Sequence, residues 1–266
     1  MEKDRLDVLL VERGLVESRS LAQRMVMAGQ VRVDGQVILK PSTRIANNAG
    51  LAIDQGPRFV SRGGEKLEAA LLAFQLTNLS GWICADIGAS TGGFTDCLLQ
   101  HGAARVYAVD VGYGELHWKL RNDGRVSVME RTNARNLATF PQPLDLVTVD
   151  ASFISLRILL PVVRTWFPQE QGRAIVLIKP QFEAGRTDAA RGEGVIRDPQ
   201  VHRQVLISVL DAAVRSGFSV RGLIRSPLLG PKGNVEFIAS LDLAFHEPLD
   251  FSAMIDHVLE IPASIN

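Results

Sequence analysis

Between residues 82 and 180, short apolar runs alternate with stretches of helical periodicity, and this alternation limits the fold more than any other feature. The runs are WICADIG (82–88), RVYAVDVG (105–112), VSVME (126–130), DLVTVD (145–150) and AIVLIKP (174–180). Helices are predicted between and beyond them, near 92–101, 155–166 and 199–216. Nearly continuous apolar strands joined through helices form a mostly parallel sheet covered on both faces. The chain then closes with VRGLIRSPLLGPKGNVEFIASLDL, two strand-like pieces around a Gly/Pro loop. An antiparallel hairpin at the sheet edge is expected there.

Charge narrows the partners. The 266 residues hold 29 Lys+Arg and 29 Asp+Glu, so the whole chain is not a basic nucleic-acid coat. The distribution is uneven: residues 1–66 carry 11 basic against 8 acidic side chains, and the remainder 18 against 21. The first quarter is thus biased towards an anionic partner. Cys84 and Cys97 alone make neither a disulfide framework nor a zinc site, and are expected as reduced, buried thiols. The opening MEKDRLDVLLVERG has no signal-peptide apolar core, and no run approaches the ~20 residues of a membrane span. A cytoplasmic protein without membrane or metal partners is the expectation.

Residues 5–53 read as a small α+β unit. Leu6, Leu9, Leu10 and Leu15 mark one short helix ending near Gly14. A second, capped by Ser18 or Ser20, is expected to carry Leu21, Met25 and Ala28 on one face and to end at Gly29. Val31–Ile38 alternates around Asp34-Gly35, a strong hairpin signal. Arg19, Arg24, Arg32, Lys40 and Arg44 decorate the unit. The run from Arg5 to Ile45 resembles an S4-type RNA-binding domain in its turn order, its Ser-Arg-Ser helix start and its Val-Asp-Gly hairpin. That resemblance implies RNA contact by Arg5, Arg19, Arg24 and Lys40, mostly through phosphates, and by Arg62 beyond it. The expected organisation is an S4-like domain over 1–56, a linker over 57–64 with Pro57 and Gly63-Gly64, and an α/β domain over 65–266. The latter opens with a helix over 65–76 that buries Leu67, Leu71 and Leu72.

The first strand runs into Asp86-Ile87-Gly88-Ala89-Ser90-Thr91-Gly92-Gly93-Phe94, between strand and helix. Glycines there permit close approach of a ligand to the backbone. Asp110 ends the second strand, where an acid binds ribose hydroxyls. Three readings compete. A dinucleotide site wants a middle glycine where Ser90 stands. A serine hydrolase elbow reads Gly88-Ala89-Ser90-Thr91-Gly92, with Asp150 and His202 following in order. An S-adenosyl-L-methionine loop of the D-x-G-x-x-x-G type uses Asp86, Gly88 to Phe94, Asp110 and Asp150. Asp110 favours the last.

Asp150 and Lys179 end strands, Glu236 begins the last strand, and Lys66 opens the first helix. The segments SRGGEKL, DIGASTGGFTDCLLQ, VDASFISL, LIKPQFE and GNVEF, with the S4-like start, resemble the hemolysin A (TlyA) family of ribosomal RNA 2′-O-methyltransferases. The resemblance runs nearly end to end. It implies a Rossmann-like class I methyltransferase sheet with helices on both faces, similar to FtsJ-type enzymes. It further implies a catalytic tetrad of Lys66, Asp150, Lys179 and Glu236, with S-adenosyl-L-methionine as cofactor and no metal. The implied substrate is cytidine in ribosomal RNA, within assembled ribosomal subunits. The rival from another class is an RNA-binding protein with an inactive methyltransferase-like domain. The family's historical name points to haemolysis, which no membrane-active segment supports.

Overall fold

The computed structural model describes residues 2–54, 56–167, 171–185, 192–244 and 250–260. It divides into two units, Met1–Arg58 and Phe59–Asn266.

The first unit runs β1 (Lys3–Arg5), α1 (Leu6–Glu12), α2 (Arg19–Met27), β2 (Val31–Val33), β3 (Gln36–Val37), β4 (Arg44–Ala46) and β5 (Leu51–Ile53). Of the two candidate caps, Ser18 serves: its Oγ accepts from Leu21 N at 3.3 Å. β2 and β3 pair through Asp34 and Gly35, both at positive φ (+48° and +84°), as a tight right-twisted hairpin requires. Leu6, Leu10, Ala22, Val26 and Val31 form a fully buried core. The buried stripe of α2 is therefore Ala22 and Val26, while Leu21 and Met25 are half-buried and Ala28 is exposed. Leu21 and Met25 pack against the same core from the flank of that stripe.

The second unit continues with α3 (Gly63–Ala73), β6 (Ile83–Ile87), α4 (Gly93–Gln100), β7 (Arg105–Val109), α5 (Trp118–Arg121) and β8 (Val126–Met129). Then come β9 (Leu146–Val149), α6 (Leu156–Thr165), β10 (Arg173–Ile178), α7 (Pro180–Glu183), α8 (Pro199–Arg215), β11 (Ser219–Arg225), β12 (Phe237–Asp242) and α9 (Phe251–Glu260). The sheet order is β11-β12-β10-β9-β6-β7-β8. Neighbours from β8 to β10 pair in parallel, and β12 runs antiparallel to both β10 and β11.

Alternate strand residues feed two cores. Ala85, Ile87, Val147, Val176 and Ile178 pack with α6, α8 and α9. Cys84, Val106, Leu146, Ile175 and Leu177 pack with α3 and α4. Both cysteines are thiols rather than disulfide halves and are fully buried in this second core. Within α3, Leu67, Ala70 and Leu71 are buried, but Leu72 is 60% exposed because it lies a quarter-turn off that stripe.

One expectation changes and one holds. The segment 59–64 is part of the second unit rather than linker, since Phe59 is 2% exposed in its core and α3 already begins at Gly63. The closing strands form the expected antiparallel hairpin at the sheet edge, with β11 outermost and β12 between β11 and β10. Five of the six β12 residues are buried, and such a strand is satisfied only between two neighbours.

Candidate active site

The sheet changes winding direction beside β6: β7 and β8 extend one way, β9 and β10 the other. Sheets of this kind open a crevice at the carboxyl ends of the strands flanking that point. Gly88, Asp110, Asp150 and Lys179 are the residues that follow β6, β7, β9 and β10.

The loop after β6 is anchored by Gly88 N and Ala89 N, both donating to Val109 O at the end of β7. Gly88 has φ +84°, and a Cβ there would stand 2.6 Å from Asp150 O. Gly92 has φ +97°, but a Cβ there would strike Leu116 and Leu120. It is thus glycine for conformation and packing, not for ligand approach. A Cβ on Gly93 would meet Ser61 Oγ and Gly64 N, so α4 and α3 touch through bare backbone.

Three neighbouring clefts open here. One of about 290 Å³ is lined by Gly88, Ser90, Asp110, Glu115, Asn133 and Asp150. The Asp110 carboxylate is fixed on its wall by Ser90 N (2.8 Å) and Gly112 N (2.7 Å), and each oxygen keeps a lone pair for a ligand. A second, of about 210 Å³, is lined by Arg62, Lys66, Ala89, Thr91, Gly93, Phe94 and Asp150. A third, of about 380 Å³, is lined by Phe153, Lys179, Gln181, Lys232 and Glu236. Asp150 borders the first two, and Ser152 and Phe153 border the first and third.

Asp86 borders none of them. It is fully buried behind the loop, where Thr95 Oγ1 (2.7 Å) and Thr148 Oγ1 (3.2 Å) donate to it. Burial pushes its carboxyl up to about 7. The residue ties β6 to α4 and β9, so its place is beneath the cradle rather than on its surface.

The four tetrad residues come together in two ion pairs. Lys66 Nζ donates to Glu236 Oε2 at 2.6 Å. Lys179 Nζ lies 2.5 Å from Asp150 Oδ1, 3.0 Å from Ser152 Oγ and 3.5 Å from Asp150 O. Gln181 Nε2 donates to Glu236 Oε1 at 3.3 Å. Burial pushes the Asp150 carboxyl up, with Lys179 and then Lys66 opposing it and Glu236 reinforcing it. Asp150 thus feels the other three across the crevice.

The hydrolase arrangement does not assemble. Ser90 Oγ donates to Glu115 Oε2 (3.3 Å), and Asp150 is paired with Lys179. His202 is buried on α8 with Nε2 against Ile196 O at 3.1 Å. Burial lowers its affinity for a proton. In the first unit Arg24 and Lys40 are exposed, whereas Arg5 and Arg19 both pair with Asp7. Arg62 is exposed on the wall of the second cleft.

Several lining residues escaped the sequence reading. Glu115 and Asn133 sit on loops after β7 and β8, which must end at the same crevice as Gly88 because those strands are parallel to β6. Phe153 had no periodic signal: it is 90% exposed, has φ +64°, and lies with its ring centroid 4.9 Å from that of Phe182. A bulky residue in that backbone region is uncommon and marks a functional candidate. Glu183 is also new. Its buried carboxylate accepts from Ser155 Oγ and Leu156 N, fixing the start of α6 to α7.

A parallel sheet with one internal antiparallel strand, a glycine turn at the switch point and a fixed acid one strand over define the class: a Rossmann-like methyltransferase. Residues 59–243 match the FtsJ-like methyltransferase model and residues 4–49 the S4 domain. The chain belongs to the FtsJ-like methyltransferase family and carries an S4 domain. It is 43% identical over 260 residues to the 16S/23S rRNA (cytidine-2′-O)-methyltransferase TlyA of Mycobacterium tuberculosis, covering 96% of this chain and 95% of that one. It is 42% identical over 240 residues to Hemolysin A of Brachyspira hyodysenteriae, covering 88% and 98%. A solved hemolysin structure from Streptococcus thermophilus shares 43% identity with a TM-score of 0.71, covering 97% and 95%. Among the described residues no helix is long and apolar enough to cross a membrane.

Proposed function

We propose that this protein methylates the ribose 2′-hydroxyl of cytidine in ribosomal RNA, using S-adenosyl-L-methionine. The observation that carries the reading is the pair of ion pairs, Lys179–Asp150 and Lys66–Glu236, set beside the glycine turn. The fit to the cofactor rests on the first cleft: Gly88 at a turn whose backbone packs against Asp150, a carboxylate fixed at Asp110 with lone pairs to spare, and Asp150 joining the cleft to the rest of the tetrad. Gly88, Ser90, Asp110, Glu115 and Asn133 would hold it there. When bound, S-adenosyl-L-methionine supplies a methyl group already activated on sulfonium.

A ribose hydroxyl is a weak acid, so its proton must leave as its oxygen takes the methyl. Lys179 in its neutral form has a lone pair for that proton. Asp150 and Ser152 fix where Nζ stands. Glu236 offers a carboxylate to the ribose, and Lys66 and Gln181 fix its orientation. Holding hydroxyl and methyl in line accounts for much of the rate. The exposed ring of Phe153 is available to stack on an RNA base at the mouth. The S4 unit brings Arg5, Arg19, Arg24 and Lys40 to RNA phosphates, and Arg62 does so beside the crevice. The substrate is taken as an assembled ribosomal subunit in the cytoplasm.

Mapping 2′-O-methyl groups on ribosomal RNA from cells with and without this protein tests the reading. Loss of a cytidine 2′-O-methyl on deletion is expected. Identical maps, or no binding of S-adenosyl-L-methionine by calorimetry, would overturn it in favour of an RNA-binding protein with an inactive domain.

A further inference from the structure

Asp7, in the first turn of α1, has a fully buried carboxylate inside an otherwise basic cluster. Its oxygens accept from Arg5 Nε and Nη2, both at 2.9 Å, from Arg19 Nε at 3.0 Å and from Gln23 Nε2 at 2.8 Å. Arg5 ends β1, while Arg19 and Gln23 lie on the first turns of α2. One carboxylate thus joins three side chains from two elements. The Arg5 hydrogen bonds, more than the others, hold the Asp7 carboxyl far below the usual carboxylate range despite its burial. The side chains of Arg5 and Arg19 remain 40% and 54% exposed. A guanidinium has five N–H donors. Arg5 uses two on Asp7 and Arg19 one, so both keep donors for an external anion.

We propose that Asp7 is a positioning residue of the RNA-binding surface, holding Arg5 and Arg19 as a preset pair of phosphate-binding forks. The inference rests on the reading of the S4 unit as an RNA-binding module. A carboxylate under such a surface repels phosphate, so its net effect on binding is the balance of two opposed effects. Charge alone makes Asp7 unfavourable. Preorganisation makes it favourable, because two long side chains are ordered before RNA arrives. Ordering two such side chains corresponds to about tenfold in affinity, with wide scatter. Buried and neutralised by its own partners, the carboxylate projects little field outward, so ordering wins.

The two effects predict opposite signs for Asp7→Asn, which removes one negative charge and weakens the hold on both arginines. Equilibrium binding of the full-length protein to ribosomal RNA lacking the modification reads the outcome. The expected result is about tenfold weaker binding, with unchanged affinity for S-adenosyl-L-methionine. In an Arg5→Ala/Arg19→Ala background, Asp7→Asn should cause no further loss. Equal or tighter binding by Asp7→Asn overturns the proposal, as does a loss that persists in that background. Should Asp7→Asn fail to fold, Arg19→Lys carries the test, since it keeps the charge but loses the Nε fork at a half-exposed position. It should bind severalfold more weakly, and wild-type affinity would overturn the proposal. A wild-type protein with no affinity for ribosomal RNA would instead refute the reading of the S4 unit itself.

Discussion

Lys179→Met removes an ammonium while keeping an unbranched side chain of similar length, so packing around α7 is little disturbed. The structure sets two consequences of different size. If Nζ takes the 2′-hydroxyl proton, the chemical step slows by ~10²–10⁴-fold. That corresponds to about 2.7–5.5 kcal/mol of transition-state stabilisation. The second consequence is loss of the counter-ion of Asp150, 2.5 Å away. Breaking a fully buried pair costs about 3–5 kcal/mol. Here the Asp150 side chain is 22% exposed, and burial already pushes its carboxyl up, so partial solvation and easier protonation both reduce the cost of losing its partner. A destabilisation of about 1–2 kcal/mol follows, or roughly 2–8 °C in Tm for a chain of this size. Single-turnover methylation at saturating RNA and cofactor isolates the chemical step from binding. Lys179→Arg should rescue little, since guanidinium stays charged near neutral pH. A wild-type single-turnover rate for Lys179→Met, or full rescue by arginine, would refute proton transfer to Nζ and leave only the ion pair.

Gly92→Ala should destabilise the protein by about 2–4 kcal/mol even without ligand, because φ is +97° and the new Cβ strikes Leu116 and Leu120. Unchanged thermal unfolding would return Gly92 to a ligand-contact role. Asp86 binds a proton in the folded state at pH values where the unfolded chain has lost it, since its folded pKa of about 7 exceeds the ordinary 3.8. Its contribution to stability is full below about pH 4 and is lost as pH rises through 7. Asp86→Asn should therefore flatten the decline in Tm across that window, and an unaltered pH profile would contradict the assignment. Phe153→Ala should lower methylation about 5- to 100-fold through lost base stacking while leaving Tm nearly unchanged. Normal turnover on ribosomal RNA would show that the exposed ring has no partner there.

How far the sequence is readable follows from the range of the interactions that decide each feature. The strands from 82 to 180 were legible because burial on both faces demands an unbroken apolar run, visible within six residues. The Asp34-Gly35 hairpin and the Ser18 cap were legible because backbone conformation and nearest donors settle them locally. The strand-end positions of Asp150 and Lys179 followed from the same runs. The α2 face was read one residue off: Leu21 and Met25 pack half-buried against the core, Ala22 and Val26 carry its fully buried stripe and Ala28 is exposed, since periodicity shows that one stripe is buried but not which of two adjacent stripes fits a core set by other elements. Leu72 fails for the same reason.

Sequence by itself determined the alternation and the glycine turn, because each is a local pattern, while the four charged residues were singled out as a set by the resemblance to a known family. Only the tertiary structure decided that β12 inserts between β10 and β11, that Asp86 stands behind the cradle instead of lining it, and that Lys66 meets Glu236 across 170 positions of chain. It also decided that the buried Asp7 carboxylate gathers Arg5, Arg19 and Gln23. Those facts depend on which surfaces close against one another once each unit has folded. A Coulomb or hydrogen-bond partner is chosen by distance in space, and distance along the chain carries almost no information about it.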